Sequence, residues 1–559
     1  MKRIKYVSLV VFAVPFIAIA VAAQGGGGAA PQGRGGAGAG PQAPAPNLTF
    51  VRILKSNSEP QNWMTYSGSF MSQRHSLLSQ ITPENARELE LKWVFQARSL
   101  EKHEVTPIVV DGTMYTVQFN DVVALNAKTG KTLWTFPYKP DAAARNCCGN
   151  LTRGLAVVDN KVFLASYDAH MIAIDATTGR KLWDTPAGAD PKQGYSFTHA
   201  PLVIKDKVIA GSAGGEFGIR GFIAAWDVNT GKEVWRFNTV PGPGEPGSET
   251  WSGDSWMHGG SPVWVTGSYD PDANLTYWGT GNPGPDWDGR ARVGDNLFSC
   301  SVIALDPDTG KLKWYYQFFP HNEFDWDSTQ VPVLADMDWQ GRPRKVMLWA
   351  NRNGYYYVLD RLTGEFLKGA PFVKTNWLKE FTAQGRPIPA LVPTPEGTLV
   401  YPGNQGGTNW YNPSYSPRTG LFYIPVWENS SSTYVYGVAP PEFHEGDRTF
   451  AAVGPRGGQR GEDTYSAVRA IDPKTGEKKW DYRMNQPTTN AGVLTTATNV
   501  LFSGGQDGSF YALDARDGKE LWKTNLGPGV AAGPMTFSIE GKQYVTIMAG
   551  NNLFTFGLR

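Results

Sequence analysis

Two adjacent cysteines, Cys147 and Cys148 in the string RNCCGN, are the residues of this 559-residue chain with the most direct bearing on redox chemistry. Neighbouring Cα atoms stand about 3.8 Å apart across a trans peptide and about 2.9 Å across a cis one, whereas ordinary disulfides span about 4.4–6.8 Å. A ring closed between neighbours is therefore strained and rare, and the residues alone leave two readings open: a vicinal disulfide, or two free thiols side by side. The third cysteine, Cys300, has no partner and reads as an ordinary buried thiol. An odd, low count without regular spacing excludes a disulfide-dense scaffold and a structural zinc module, and no Cys-x-x-Cys-His string offers covalent haem attachment. Redox chemistry, if this chain performs any, needs another cofactor.

The elements that must hold such a cofactor are set by an internal repeat. Seven clear copies occur: Val122 to Trp134, Met171 to Trp183, Phe222 to Trp235, Ser301 to Trp314, Tyr356 to Lys368, Val468 to Trp480 and Phe510 to Trp522. Their turn glycines are Gly130, Gly179, Gly231, Gly310, Gly364, Gly476 and Gly518, and a worn copy around Gly420 brings the count to eight. Each copy is an alternating apolar strand, an Asp-x-x-Thr-Gly type of turn and a second strand entering near a Trp, which is a hairpin. A hairpin cannot bury its apolar face alone, so radial stacking of four-stranded units is expected: an all-β, eight-bladed β-propeller with Trp-containing blade repeats. The recurring Trp is expected to wedge between neighbouring blades, a structural role. One helix is expected, opened by Thr82-Pro83-Glu84-Asn85 before ARELELKW.

Composition agrees with strands and turns. Gly 64 and Pro 40 are numerous, and charged residues, at 18%, fall below the roughly 25% of an average soluble domain. A formal charge of +1 supplies no field to attract nucleic acid or an anionic membrane. At the N-terminus Lys2, Arg3 and Lys5 precede an apolar run and an Ala-x-Ala site at Ala20-Val21-Ala22. Residues 1–23 therefore read as a cleaved signal peptide, residues 24–47 as a flexible Gly/Ala/Pro-rich tether, and 48–559 as the propeller. The mature chain is expected in the periplasm, without a transmembrane segment.

From Asn62 to the C-terminus the pattern resembles the quinoprotein alcohol dehydrogenases of the methanol/ethanol dehydrogenase type, propellers that hold pyrroloquinoline quinone (PQQ). The resemblance implies that Cys147 and Cys148 form a ring against one face of the quinone, with Arg153 beside it and Trp264, in GGSPVWVTGSYDP, stacked on the opposite face. It implies a metal site from Glu216 in GSAGGEFGIRG, Asn282 in YWGTGNPGP and Asp325 in FPHNEFDWDSTQ. Carboxylates and an amide suit a hard cation, and the lack of a His or Cys cluster argues against zinc or copper. Asp325 is the implied catalytic base: it takes the hydroxyl proton while hydride passes to the quinone and the ion acts as Lewis acid. Asp327 matches the lanthanide-type members, so a lanthanide is favoured, with calcium as the alternative.

The remaining quinone contacts implied are Glu104, Thr198, Ala213, Gly214, Gly215, Arg352, Asn409 and Trp410, while Asn490 stands where many relatives place a Trp. The implied partners are a primary alcohol substrate and a soluble c-type cytochrome as electron acceptor, with a homodimer as a possible assembly. Two other functions fit the repeat: a quinoprotein acting on a sugar or polyol, and a non-catalytic propeller scaffold.

Overall fold

The repeats fold as antiparallel sheets in an all-β architecture with only short helical turns. The computed structural model describes residues 42–559 except residue 102, so the expected signal peptide and most of the expected tether lie outside the described residues. What is described of the tether is docked: Ala43 is buried, and its N–H donates to the Thr177 carbonyl at 3.0 Å. Among the described residues there are eight sheets of four or five strands and one of two strands. No helix among them is long and apolar enough to cross a membrane.

One sheet shows the pattern: Ile108–Val110, Thr113–Gln118, Asp121–Asn126 and Thr132–Phe136 pair in sequence order. Because successive antiparallel strands reverse direction, the 1–2 and 3–4 turns share one end of the sheet. The 2–3 turn and the connection to the next sheet share the other. All seven clear repeat glycines sit in 3–4 turns, which leaves the opposite end for everything else. The inner strands are buried on both faces, as in Leu202–Ile204 and Lys207–Gly211, and read as continuous apolar runs. The outer strand, for example Lys181–Pro186, is half exposed and carries the charge that guards a free edge.

The expected wedging of the Trp residues is present in detail. A Cβ on Gly179 would lie 2.7 Å from the Trp134 ring, and one on Gly310 would lie 2.6 Å from Trp235, so each indole covers the turn of the following sheet where only glycine fits. Gly179 also has φ of 72°, a second reason for glycine there. The indole N–H completes the contact, Trp134 Nε1 donating to Ala176 O at 3.0 Å and Trp235 Nε1 to Pro307 O at 2.9 Å.

Two expectations change. The expected helix after Thr82 is a single 3-10 turn, Ala86–Glu88, followed by the strand Leu89–Gln96. That strand pairs with Asn552–Leu558, so the N-terminal and C-terminal segments share one sheet, and its Trp93 covers Gly130 as the other indoles cover their glycines. Tertiary pairing and Trp burial outweigh the helical propensity of ARELELKW. The worn copy at Gly420 is not a unit of its own. It is the turn between Ser414–Ser416 and Leu421–Tyr434, in the sheet whose 3–4 turn is Gly476. The sheet without any repeat glycine is the one formed by Leu89–Gln96 with the three C-terminal strands.

Candidate active site

The residues singled out by chemistry come from the sheet ends opposite the repeat turns. Glu216, Asn282 and Arg352 lie in 2–3 turns; Glu104, Cys147, Cys148, Arg153, Thr198, Trp264, Asp325 and Asp327 lie in connections between sheets. These loops enclose a cavity of about 570 Å³. It is lined by all of those residues except Asn282, together with Ala213, Gly214, Asn409 and Trp410. Gly215 and Asn282 are not on its surface but stand beside it, a Cβ on Gly215 falling 3.5 Å from Asn282 Oδ1.

One wall is an acidic cluster in which Asp327 is buried and Glu216 and Asp325 are half-buried. Arg352 bridges two of its members, Nη1 to Asp327 Oδ2 at 2.7 Å and Nη2 to Asp325 Oδ2 at 3.0 Å, while its Nε donates to Asn404 O at 2.8 Å. Asp327 does not face solvent: it is 6% exposed, and its Oδ1 accepts the Asn282 N–H at 2.6 Å. The glycine at 281 makes that contact possible, since a Cβ there would lie 2.3 Å from the same oxygen. Asp325 has φ of 55°, a left-handed backbone that Asp tolerates better than most residues. Burial pushes the Asp325 carboxyl up to about 8; Arg352 opposes the rise, and Asp327 and Glu216 add to it. Burial likewise raises Glu216, where the Asp327 charge adds to it, and raises Asp327 against the pull of Arg352. Such crowded carboxylates favour a bound cation. The donors are all oxygen, and the two nearby sulfurs are bonded to each other, so the set fits a hard ion.

The rest of the cavity lining is aromatic and cationic. Cys147 and Cys148 form a vicinal disulfide with Cα atoms 3.8 Å apart, and both sulfurs lie within 4.8 Å of a Glu216 carboxylate oxygen. The Arg153 guanidinium sits 4.9 Å from the ring centres of both Trp264 and Trp410 and pairs with Glu104 at 2.7 Å. Arg153 Nη1 donates to Thr198 O at 3.2 Å and to Trp264 O at 3.3 Å. Asn409 Nδ2 donates to Gln405 O at 3.1 Å. Arg153 Nε and Asn146 Nδ2 are buried donors without a hydrogen-bond partner among the described residues. Orphaned donors beside two indoles and a disulfide fit a flat ligand rich in carboxylate and carbonyl oxygens, which PQQ is.

Several lining residues escaped the sequence reading. Asp286 is 1% exposed, and burial, reinforced by Glu216, Asp325 and Asp327, lifts its carboxyl well above the usual range. Its signal was an acid four residues after Asn282, masked by a Pro-Gly-Pro run that reads as a turn. Tyr411 and Trp427 form an aromatic wall, ring centres 6.1 Å apart at 28°, and Arg448 and Trp287 complete the lining. Asn490 also lines the cavity, so that part of the wall carries an amide.

Comparison with known proteins follows the same lines. The chain is 38% identical over 536 residues to the quinohemoprotein alcohol dehydrogenase ADH-IIG of Pseudomonas putida, covering 90% of this chain and 74% of that one. It is 38% identical over 526 residues to the 1-butanol dehydrogenase (cytochrome c) of Thauera butanivorans, covering 87% and 74%. Among solved structures, a europium-containing methanol dehydrogenase superposes with a TM-score of 0.83 at 32% identity, covering 91% of this chain and 100% of the other. Residues 63–371 and 484–545 match the family described as PQQ glucose/ethanol/alcohol dehydrogenase, beta-propeller domain. With its sheets, its cavity and these matches in agreement, the chain belongs to the PQQ-dependent alcohol dehydrogenase family of β-propellers.

Proposed function

We propose that this protein is an exported, periplasmic quinoprotein that oxidises a primary alcohol to the aldehyde and passes electrons to a separate c-type cytochrome, its eight larger sheets being eight propeller blades. The observation that carries the reading is the meeting, in one cavity, of the Glu216, Asp325 and Asp327 carboxylates and Arg352 with the vicinal disulfide and Trp264. The relatives named for 1-butanol with cytochrome c and for methanol support the substrate class and the acceptor.

In this reading Glu216, Asn282, Asp325 and Asp327 hold the ion. Glu104, Arg153, Thr198, the 213–215 backbone, Arg352, Asn409 and Trp410 surround the quinone between Trp264 and the disulfide. When bound, the quinone supplies the hydride acceptor and the ion the Lewis acid that polarises it. Asp325 is the base. Its Oδ2 is held by Arg352, which leaves Oδ1 to accept the alcohol's hydroxyl proton. Arg352 keeps that carboxylate closer to its ionised form than burial alone would allow. Tyr411 and Trp427 keep the alcohol's carbon end in an apolar setting and exclude water.

The ion is a lanthanide in preference to calcium, because Asp327 adds a third carboxylate to Glu216 and Asp325 and a trivalent ion balances that charge better. The test is reconstitution of quinone-loaded protein with lanthanum, cerium or calcium, followed by alcohol-dependent reduction of an artificial acceptor. Lanthanides should activate the wild type more than calcium, and Asp327→Ala should reduce the lanthanide response more. Equal activation with no effect of Asp327→Ala would assign the site to calcium, and no activation by any ion would overturn the reading.

A further inference from the structure

Asn282 differs from the other donors around the acidic cluster because its amide has two unlike ends. Its oxygen attracts a cation and its NH₂ repels one. In the structure the choice between them is made by a neighbour. Nδ2 donates to Asp286 Oδ1 at 2.5 Å and to Pro283 O at 3.2 Å, while the backbone N–H is committed to Asp327 Oδ1 at 2.6 Å. The Pro283 backbone carbonyl only accepts hydrogen bonds, so it demands the NH₂ end whatever the protonation of Asp286, and the Asp286 contact shares that end, leaving Oδ1 as the free end of the amide. That oxygen lies on the side of Gly215, next to Glu216. Asp286 is itself buried, at 1% exposed, which strengthens the bond.

We propose that Asp286 is a positioning residue that locks the Asn282 amide with its oxygen turned to the metal ion. The inference rests on the reading of Asn282 as a ligand given above. It distinguishes Asp286 from a further ligand and from a mere source of negative charge. A positioning residue needs only an acceptor atom at the place of Oδ1, which an asparagine side chain also supplies. A charge donor needs the carboxylate, and a ligand would keep its contribution when Asn282 is absent.

The test is a titration of the metal-free, full-length protein with terbium(III) alone, read by tryptophan-sensitised luminescence and by competition with lanthanum. Asp286→Asn should bind terbium within about threefold of wild type, and Asp286→Ala should bind about 10–100-fold more weakly, the range for lost partners of metal ligands. In an Asn282→Ala background, Asp286→Ala should cost nothing further, because the effect travels through that amide. If Asp286→Ala does not fold, Asp286→Ser, too short to reach Nδ2, should show the same loss. The inference is overturned if Asp286→Asn weakens binding as much as Asp286→Ala, if the loss persists without Asn282, or if wild type and Asp286→Ala bind alike. Wild-type protein that takes up no terbium would overturn the ion-site reading itself, and this inference with it.

Discussion

Replacing Arg352 with Met removes the guanidinium that lies 2.7 Å from Asp327 Oδ2 and 3.0 Å from Asp325 Oδ2, and leaves buried carboxylates facing one another. Removing one partner of a buried ion pair costs about 3–5 kcal/mol. Unfolding entropy of about 2.1 cal/mol/K per residue over roughly 500 ordered residues gives about 1 kcal/mol/K, so Tm should fall by about 3–5 °C. The loss must depend on pH. The folded Asp325 carboxyl is pushed up to about 8 from an ordinary 3.8, so its favourable protonated state is intact below the lower value. The stability it contributes is lost as pH rises through the higher one. Arg352 limits that loss by pulling the carboxyl down, and the variant enlarges it. Scanning fluorimetry of quinone-free, metal-free protein should therefore show a deficit that grows as pH rises above about 8, where the wild-type carboxyl ionises and the variant's does not, and a smaller one in acid. A deficit independent of pH, or one below about 1 °C in alkali, would refute the assignment of Arg352 as the counter-charge of this cluster.

Asp325→Asn should retain quinone while kcat falls by about 10²–10⁴, measured by absorbance of the bound cofactor and by steady-state turnover; a substantial residual rate would remove Asp325 from the role of base. Replacing both Cys147 and Cys148 by Ala should leave a folded protein with weaker quinone binding, and mass spectrometry of the native chain should find the two thiols bonded. Gly310→Ala forces a methyl to within 2.6 Å of the Trp235 ring, whereas Gly420→Ala, at nearly the same φ, meets nothing within 4 Å. The first should be less stable than the second by about 1–3 kcal/mol, read as a difference in Tm in which backbone strain cancels.

The repeat was legible because an Asp-x-x-Thr-Gly turn and a Trp at fixed spacing each answer a physical demand, a left-handed glycine and an indole laid over it. Trp93 was missed for the converse reason. Its strand closes on the far end of the chain, so no neighbouring turn in sequence announces it, and ARELELKW on its own reads as helix. Gly420 misled because a turn of the right composition serves a 1–2 position as well as a 3–4 one. At the site, Glu216, Asp325, Asp327 and Arg352 could be named in advance only because their strings resemble those of the quinoprotein dehydrogenases, and the structure brings them to one cavity. Asp286 could not, since what gives it a role is the direction of the Asn282 amide, a property of three-dimensional contact. Tyr411 and Trp427 look like any core aromatics until the loops converge.

Everything proposed for this protein requires that its cavity hold a quinone against a metal ion gathered by Glu216, Asn282, Asp325 and Asp327. A crystal structure of the protein reconstituted with PQQ and a lanthanide, with anomalous difference density collected at the lanthanide edge, tests it most directly. A single strong anomalous peak per chain is expected among those four residues, with planar density between Trp264 and the Cys147–Cys148 disulfide. An anomalous peak elsewhere, or a cavity filled only by water under conditions that saturate a known quinoprotein, would contradict it.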